Sequence, residues 1–167
     1  TRMRVALLRD TGAAISPFNA WLLLQGLETL PLRVQRHVEN ASKLAKWLEQ
    51  HPAVAWVEYA GLKSSRYNKL SEKYFPKGPG AIFTFGIKGG REEAMKVIDG
   101  LEIFSDLANV ADAKSLVIHP ASTTHSQLSE TALQASGISQ DLIRLSVGLE
   151  DYEDLRNDLD QALNTIL

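Results

Sequence analysis

Cysteine is absent from the 167 residues. That removes disulfides, thiolate nucleophiles, redox-active thiol pairs and sulfur-ligated zinc together. No apolar run approaches the ~20 residues that a membrane-crossing helix requires. Neither sign of charge is in excess, since 18 Lys and Arg against 20 Asp and Glu leave a formal net charge of -2. Phosphate-driven binding of nucleic acid would leave a basic excess, so that class is not expected. Internal repeats and low-complexity tracts are missing as well. What is present is 44% hydrophobic and 23% charged, with 11 Gly and 6 Pro, the composition of one globular domain with a real core. The chain starts at Thr1 with no signal peptide, and a piece of something longer is expected.

The first ten residues mix basic and apolar side chains and read as a segment leading in from elsewhere. Ser16 then offers a helix cap with Pro17 at the first helical position, and Phe18, Trp21, Leu22 and Leu24 crowd the next turns. Pro31 predicts a break near Thr29. Val34, His37, Val38, Ala41, Leu44, Ala45 and Leu48 recur at helical spacing, closed by His51-Pro52. The period then shortens to that of strands at Val54–Tyr59 and Gly80–Ile87, with Gly61–Pro79 between them read as a surface loop holding one short turn. Arg91–Leu101 predicts a short helix. Ile103–Leu107 and Ser115–Ile118 are short strand candidates around a polar bend at Asn109–Lys114. Ser126–Ala135 reads as a helix, Leu142–Val147 as a compact strand and Asp151–Leu167 as a closing helix. The order predicts a small α/β layer sandwich, with α+β character.

Most candidates for chemistry have plainer explanations. His119 and His125 are six apart around Pro120, which is not a helical metal spacing, so a turn histidine bonded to backbone is expected and no metal site. Gly86–Arg91 lies between a strand and a helix but lacks the spacing of a phosphate-binding loop. Tyr59, Tyr67 and Tyr74 are expected as half-buried packing. Arg144 is different. In Leu142–Val147 it shares one strand face with Ser146, while Ile143, Leu145 and Val147 take the other. An arginine mid-strand is costly unless its fork meets an anion. Two readings stand: an ion pair with an acid of a neighbouring helix, the commoner fate, or a bidentate clamp on the carboxylate of a ligand. Ser115 follows the polar bend, where a serine more often caps a turn than touches substrate.

The stretch Phe104–Leu128 (FSDLANVADAKSLVIHPASTTHSQL) closely resembles the C-terminal domain of the pyridoxal-phosphate enzymes of cysteine and methionine metabolism. Ser16–Trp21 with Gly26–Leu30, and Leu142–Asp151, carry two further matches, so the resemblance covers nearly the whole chain. Its central motif is most similar to the O-acetylhomoserine sulfhydrylases, whereas sister enzymes usually carry a Ser-Leu-Gly-Gly variant where Ser115–Ile118 stands here. The resemblance implies a fold-type-I enzyme, similar in architecture to aspartate aminotransferase. Residues 1–15 would be a lead-in from an absent N-terminal cofactor domain, and 16–167 the C-terminal substrate-binding domain. For that domain it implies a mixed or mostly antiparallel sheet of about four strands with helices on one side.

By the same resemblance Arg144 grips the α-carboxylate of the substrate and Ser115 helps at the pocket edge. Pyridoxal phosphate is implied for the intact enzyme, but no lysine here stands in the family's Ser-x-Thr-Lys context. Catalytic, cofactor-binding and metal residues are therefore expected to be none in this chain, and the chain alone to be inactive. The implied reaction is replacement of acetate on O-acetylhomoserine by sulfide or a small thiol, in a cytoplasmic homo-oligomer, a tetramer built of dimers. Sister chemistry (methionine γ-lyase, cystathionine γ-synthase or γ-lyase) and a free-standing amino-acid-binding or docking module are the alternatives.

Overall fold

Residues 1–167 are described by a computed structural model, and the chain divides into two units, Thr1–Leu32 and Arg33–Leu167. In the first, Met3–Leu8 is π-helical and runs into the helical turn α1 (Arg9–Thr11), which Gly12 ends in the left-handed region at φ +63°. Ser16 caps α2 (Pro17–Glu28), its Oγ accepting from the Asn19 N–H at 3.2 Å, with Pro17 at the first turn. α2 stops at Glu28, as Pro31 predicts, and buries none of its residues.

α3 (Leu30–Leu48) buries His37, Asn40, Ala41, Leu44, Ala45 and Leu48 along one face, adding Asn40 to the stripe read from the sequence. β1 (Val54–Glu58) and β2 (Ile82–Ile87) flank α4 (Asn68–Tyr74), a seven-residue helix inside the segment read as loop. Then come α5 (Arg91–Asp99), β3 (Ser105–Asp106), β4 (Leu116–Ile118), α6 (Glu130–Ala135), β5 (Leu142–Ser146) and α7 (Tyr152–Leu163). The strands form one mixed sheet in the order β1-β2-β5-β4-β3, antiparallel except for the β3–β4 pair. That is five strands where the resemblance implied about four, and two-residue β3 falls inside the Ile103–Leu107 strand candidate. β3 is short because the buried Asp158 carboxylate of α7 accepts from the backbone N–H groups of Glu102, Ile103 and Phe104, at 2.9, 2.9 and 3.3 Å. Those amides cannot also join a ladder.

Alternation assigns the two sheet faces. Phe83, Phe85, Ile143, Leu145 and Val117 turn to the core, which they share with Leu44 and Leu48 of α3, Val97 of α5 and Leu155, Leu159 and Leu163 of α7. The opposite face carries the row Thr84–Arg144–Ile118, in register across β2, β5 and β4. The sheet thereby places Arg144 on its middle strand, away from the main core.

Candidate functional site

Arg144 is half-buried, and its Nη2 donates to the Asn109 carbonyl at 3.3 Å. It belongs to none of the ion pairs of the fold, which join Arg9 to Asp10, Arg36 to Asp151, His51 to Asp160 and Arg156 to Glu153. The ion-pair explanation for this arginine therefore fails. Its guanidinium keeps full charge and most of its donors, while one neutral carbonyl holds its orientation.

The carbonyl comes from the polar bend Asn109–Lys114, which is shaped by its own bonds. The Asn109 Oδ1 accepts from the Val110 N–H at 2.8 Å, and Asp112 takes the Asn109 amide and the Lys114 N–H, each at 3.2 Å. Ala111 sits at φ +59°, the one non-glycine residue in the left-handed region, a strained conformation for a side chain with a Cβ. Strand alternation and motif point to Arg144 and Ser115 but not to Asn109, which the fold brings to the guanidinium. A polar bend before a strand was the signal available, but the 35-residue separation hid the partner.

Ser115 is fully buried, and its bonds run to the fold. Its hydroxyl donates to Glu150 Oε2 and accepts from the Gly148 N–H, both at 2.8 Å, while its own N–H donates to Glu150 Oε1 at 2.7 Å. A Cβ on Gly148 would stand against Glu150 and the Ala113 carbonyl, so only glycine fits this junction. From the other side α3 holds the same corner. His37 Nδ1 donates to the Val147 carbonyl at 2.7 Å, Asn40 Nδ2 to those of Gly148 (3.1 Å) and Glu150 (2.9 Å), and Arg36 to that of Glu150 (3.2 Å). The exit of β5 is thus tied both to α3 and to the end of the Asn109–Lys114 bend. Ser115 and Arg144 share this framework without touching a common point.

The remaining candidates have fold partners. His119 Nε2 donates to the Gln140 carbonyl at 2.9 Å, leaving Nδ1 to accept from the Ser122 hydroxyl at 2.8 Å, and no group of three or more His, Asp or Glu is arranged to hold a metal. At Gly86–Arg91, the Glu93 carboxylate accepts from the Gly90 N–H at 2.8 Å, so a carboxylate already occupies the start of α5. That hydrogen bond, above all, holds the Glu93 carboxyl below its ordinary value. Tyr59 is buried, donating to the Gly80 carbonyl at 2.9 Å. Burial pushes its phenol up, with the Ser42 hydroxyl pulling the other way. Tyr67 and Tyr74 are exposed.

A mixed sheet backed by helices, with an arginine on its middle strand that has no carboxylate partner, defines a small α/β domain. The family model described as Cys/Met metabolism PLP-dependent enzyme matches residues 2–164, and the chain belongs to that family. Over 166 residues it is 54% identical to an O-acetyl-L-homoserine sulfhydrylase of Leptospira meyeri, covering 99% of this chain and 38% of the relative. It is 52% identical over 160 residues to a homocysteine synthase of Schizosaccharomyces pombe, covering 96% of this chain and 37% of that one. A solved structure from Campylobacter jejuni, described as a candidate O-acetylhomoserine (thiol)-lyase carrying N′-pyridoxyl-lysine-5′-monophosphate, superimposes with a TM-score of 0.89 at 49% identity. It is matched over 98% of this chain and 39% of its own. The chain thus spans under two-fifths of the length of these relatives.

The family depends on pyridoxal phosphate. An aldimine-forming lysine is activated in a desolvated pocket. All nine lysines of this chain are exposed, so none of them stands in such a pocket. No helix is long and apolar enough to cross a membrane.

Proposed function

We propose that this chain is the C-terminal substrate-binding part of an O-acetylhomoserine sulfhydrylase. The intact enzyme replaces the acetate at Cγ of O-acetylhomoserine by the sulfur of sulfide or a small thiol. Sulfide gives homocysteine and methanethiol gives methionine, and the proton of the thiol leaves with the acetate. The observation that carries this reading is Arg144, a mid-strand guanidinium with no carboxylate partner of its own. A planar, permanently charged fork is the group suited to fix an amino-acid carboxylate in one orientation, which presents the rest of the substrate to the reaction centre in one pose. Ser115 serves the same carboxylate from behind, by holding Glu150 and the Gly148 turn that anchor the bend around Asn109.

Residues outside this sequence supply the Schiff-base lysine and the rest of the cofactor site, so the chain by itself is inactive. α2 supports this division. It is apolar on every side, yet Trp21 is 53% and Leu23 63% exposed, the state of a helix awaiting cover. The intact enzyme is a cytoplasmic homo-oligomer, a tetramer of dimers. The test is product analysis on the intact protein. Sulfide-dependent formation of homocysteine from O-acetylhomoserine is expected, and release of ammonia and keto acid without it would assign the protein to a sister reaction.

A further inference from the structure

We infer that Asp112 is a positioning residue for Arg144: its one carboxylate clamps the bend whose Asn109 carbonyl aims the guanidinium. Asp112 has this role only if Arg144 anchors a carboxylate, as proposed above. An arginine side chain turns about several bonds, and a fork held at one point swings about that point. Arg144 is held at one point, the Asn109 carbonyl at 3.3 Å. The direction of the fork therefore follows that carbonyl, and the carbonyl follows the bend.

Burial does not fix the bend. Leu107 and Val110 are 53% and 62% exposed, and Ala108, Asn109 and Ala111 are exposed as well. Backbone pairing does not fix it either. Leu107 donates to the Val117 carbonyl and Ala113 accepts from the Leu149 N–H, but the segment 108–112 makes no backbone-to-backbone hydrogen bond. What ties its tip to its foot is the carboxylate of half-buried Asp112. Oδ2 accepts from the Asn109 side-chain amide and Oδ1 from the Lys114 N–H, each at 3.2 Å. The foot is itself fixed, because the next N–H, that of Ser115, donates to Glu150 at 2.7 Å. A run of bonds thus leads from the Glu150 turn through Asp112 and Asn109 to the fork.

Two observations give the clamp its purpose. Ala111 lies inside it at φ +59°, a conformation that the backbone left alone does not favour. Opening the clamp relaxes Ala111 and carries the Asn109 carbonyl off the guanidinium. Asp112 also belongs to none of the ion pairs of the fold, so it steadies the fork without neutralising it. The charge of Arg144 stays available to a ligand carboxylate.

The test is calorimetric titration of the intact protein with L-norvaline, an amino acid without a leaving group, and with L-norvalinamide, its counterpart without a carboxylate. Asp112→Asn turns an N–H donor toward the Asn109 amide, so one arm of the clamp is lost. It should weaken L-norvaline roughly fivefold or more and leave L-norvalinamide within about twofold, a split that general loosening of the fold would not make. Adding Asn109→Asp reverses donor and acceptor, restores every bond of the clamp and should return L-norvaline binding to within about twofold of wild type. Equal losses for the two probes, an unaltered L-norvaline affinity in Asp112→Asn, or no recovery in the double variant would overturn the role of Asp112. Arg144→Lys separates the two claims: if it weakens L-norvaline where Asp112→Asn does not, the anchor stands and the clamp falls, and if neither variant matters both fall. A carboxylate-selective loss in a protein that makes no homocysteine upholds the clamp and sinks the sulfhydrylase reading alone.

Discussion

The Ser115 hydroxyl bonds two residues of one turn, 33 and 35 positions further along the chain. Ser115→Ala leaves the Gly148 N–H without an acceptor and takes one bond from Glu150, a loss of about 2 kcal/mol. Urea unfolding of the intact protein measures it, and an unchanged midpoint would contradict the bracing role. Gly86 is a second position decided by one atom. The space above its Cα is filled by the Trp56 indole N–H, which donates to Asp141 Oδ2 at 2.9 Å. Gly86→Ala should therefore break that bond and cost roughly 1–3 kcal/mol in the same assay. At this scale the sequence is uneven to read. Arg144 stood out because strand alternation isolates a charge among apolar neighbours. The tie of Ser115 to Glu150 and the approach of Asn109 to Arg144 depend on contacts 35 residues apart, which no local pattern encodes.

Elements were more legible than their edges. The stripe of α3 and the alternation of β2 and β5 announce themselves because burial of one face sets a period. β3 is shorter than the Ile103–Leu107 candidate because its first amides go to Asp158, and α4 is hidden because it is one short helix in a polar segment. Asp158→Ala strands three backbone N–H groups and should cost about 3 kcal/mol, read by thermal unfolding. A loss below 1 kcal/mol would mean that those amides find other acceptors. The tie between α3 and the approach to β2 also sets an alkaline limit. Folding raises the Tyr59 phenol above its unfolded value near 10, so the unfolded chain ionises first. The stabilisation is whole below pH ~10 and falls as pH rises past it. Tyr59→Phe should flatten that part of the stability–pH curve, and an unaltered slope would assign the alkaline loss to other groups.

The whole molecule is near charge balance, with an apolar helix at one end that buries nothing. Composition cannot tell such a helix from a core helix, since both are rich in Leu and Trp. What separates them is burial, and no residue of α2 is buried. The excised chain should accordingly self-associate in sedimentation equilibrium, and Leu23→Glu with Leu27→Glu should reduce that association. A clean monomer without the substitutions would favour a free-standing module. The proposed role of Arg144 as the substrate's carboxylate anchor is tested most directly by steady-state kinetics of Arg144→Lys in the intact enzyme. Exchanging the fork for a point charge should lower kcat/KM for O-acetylhomoserine by about 10- to 100-fold, with cofactor absorbance unchanged. Wild-type kcat and KM in that variant would contradict the account.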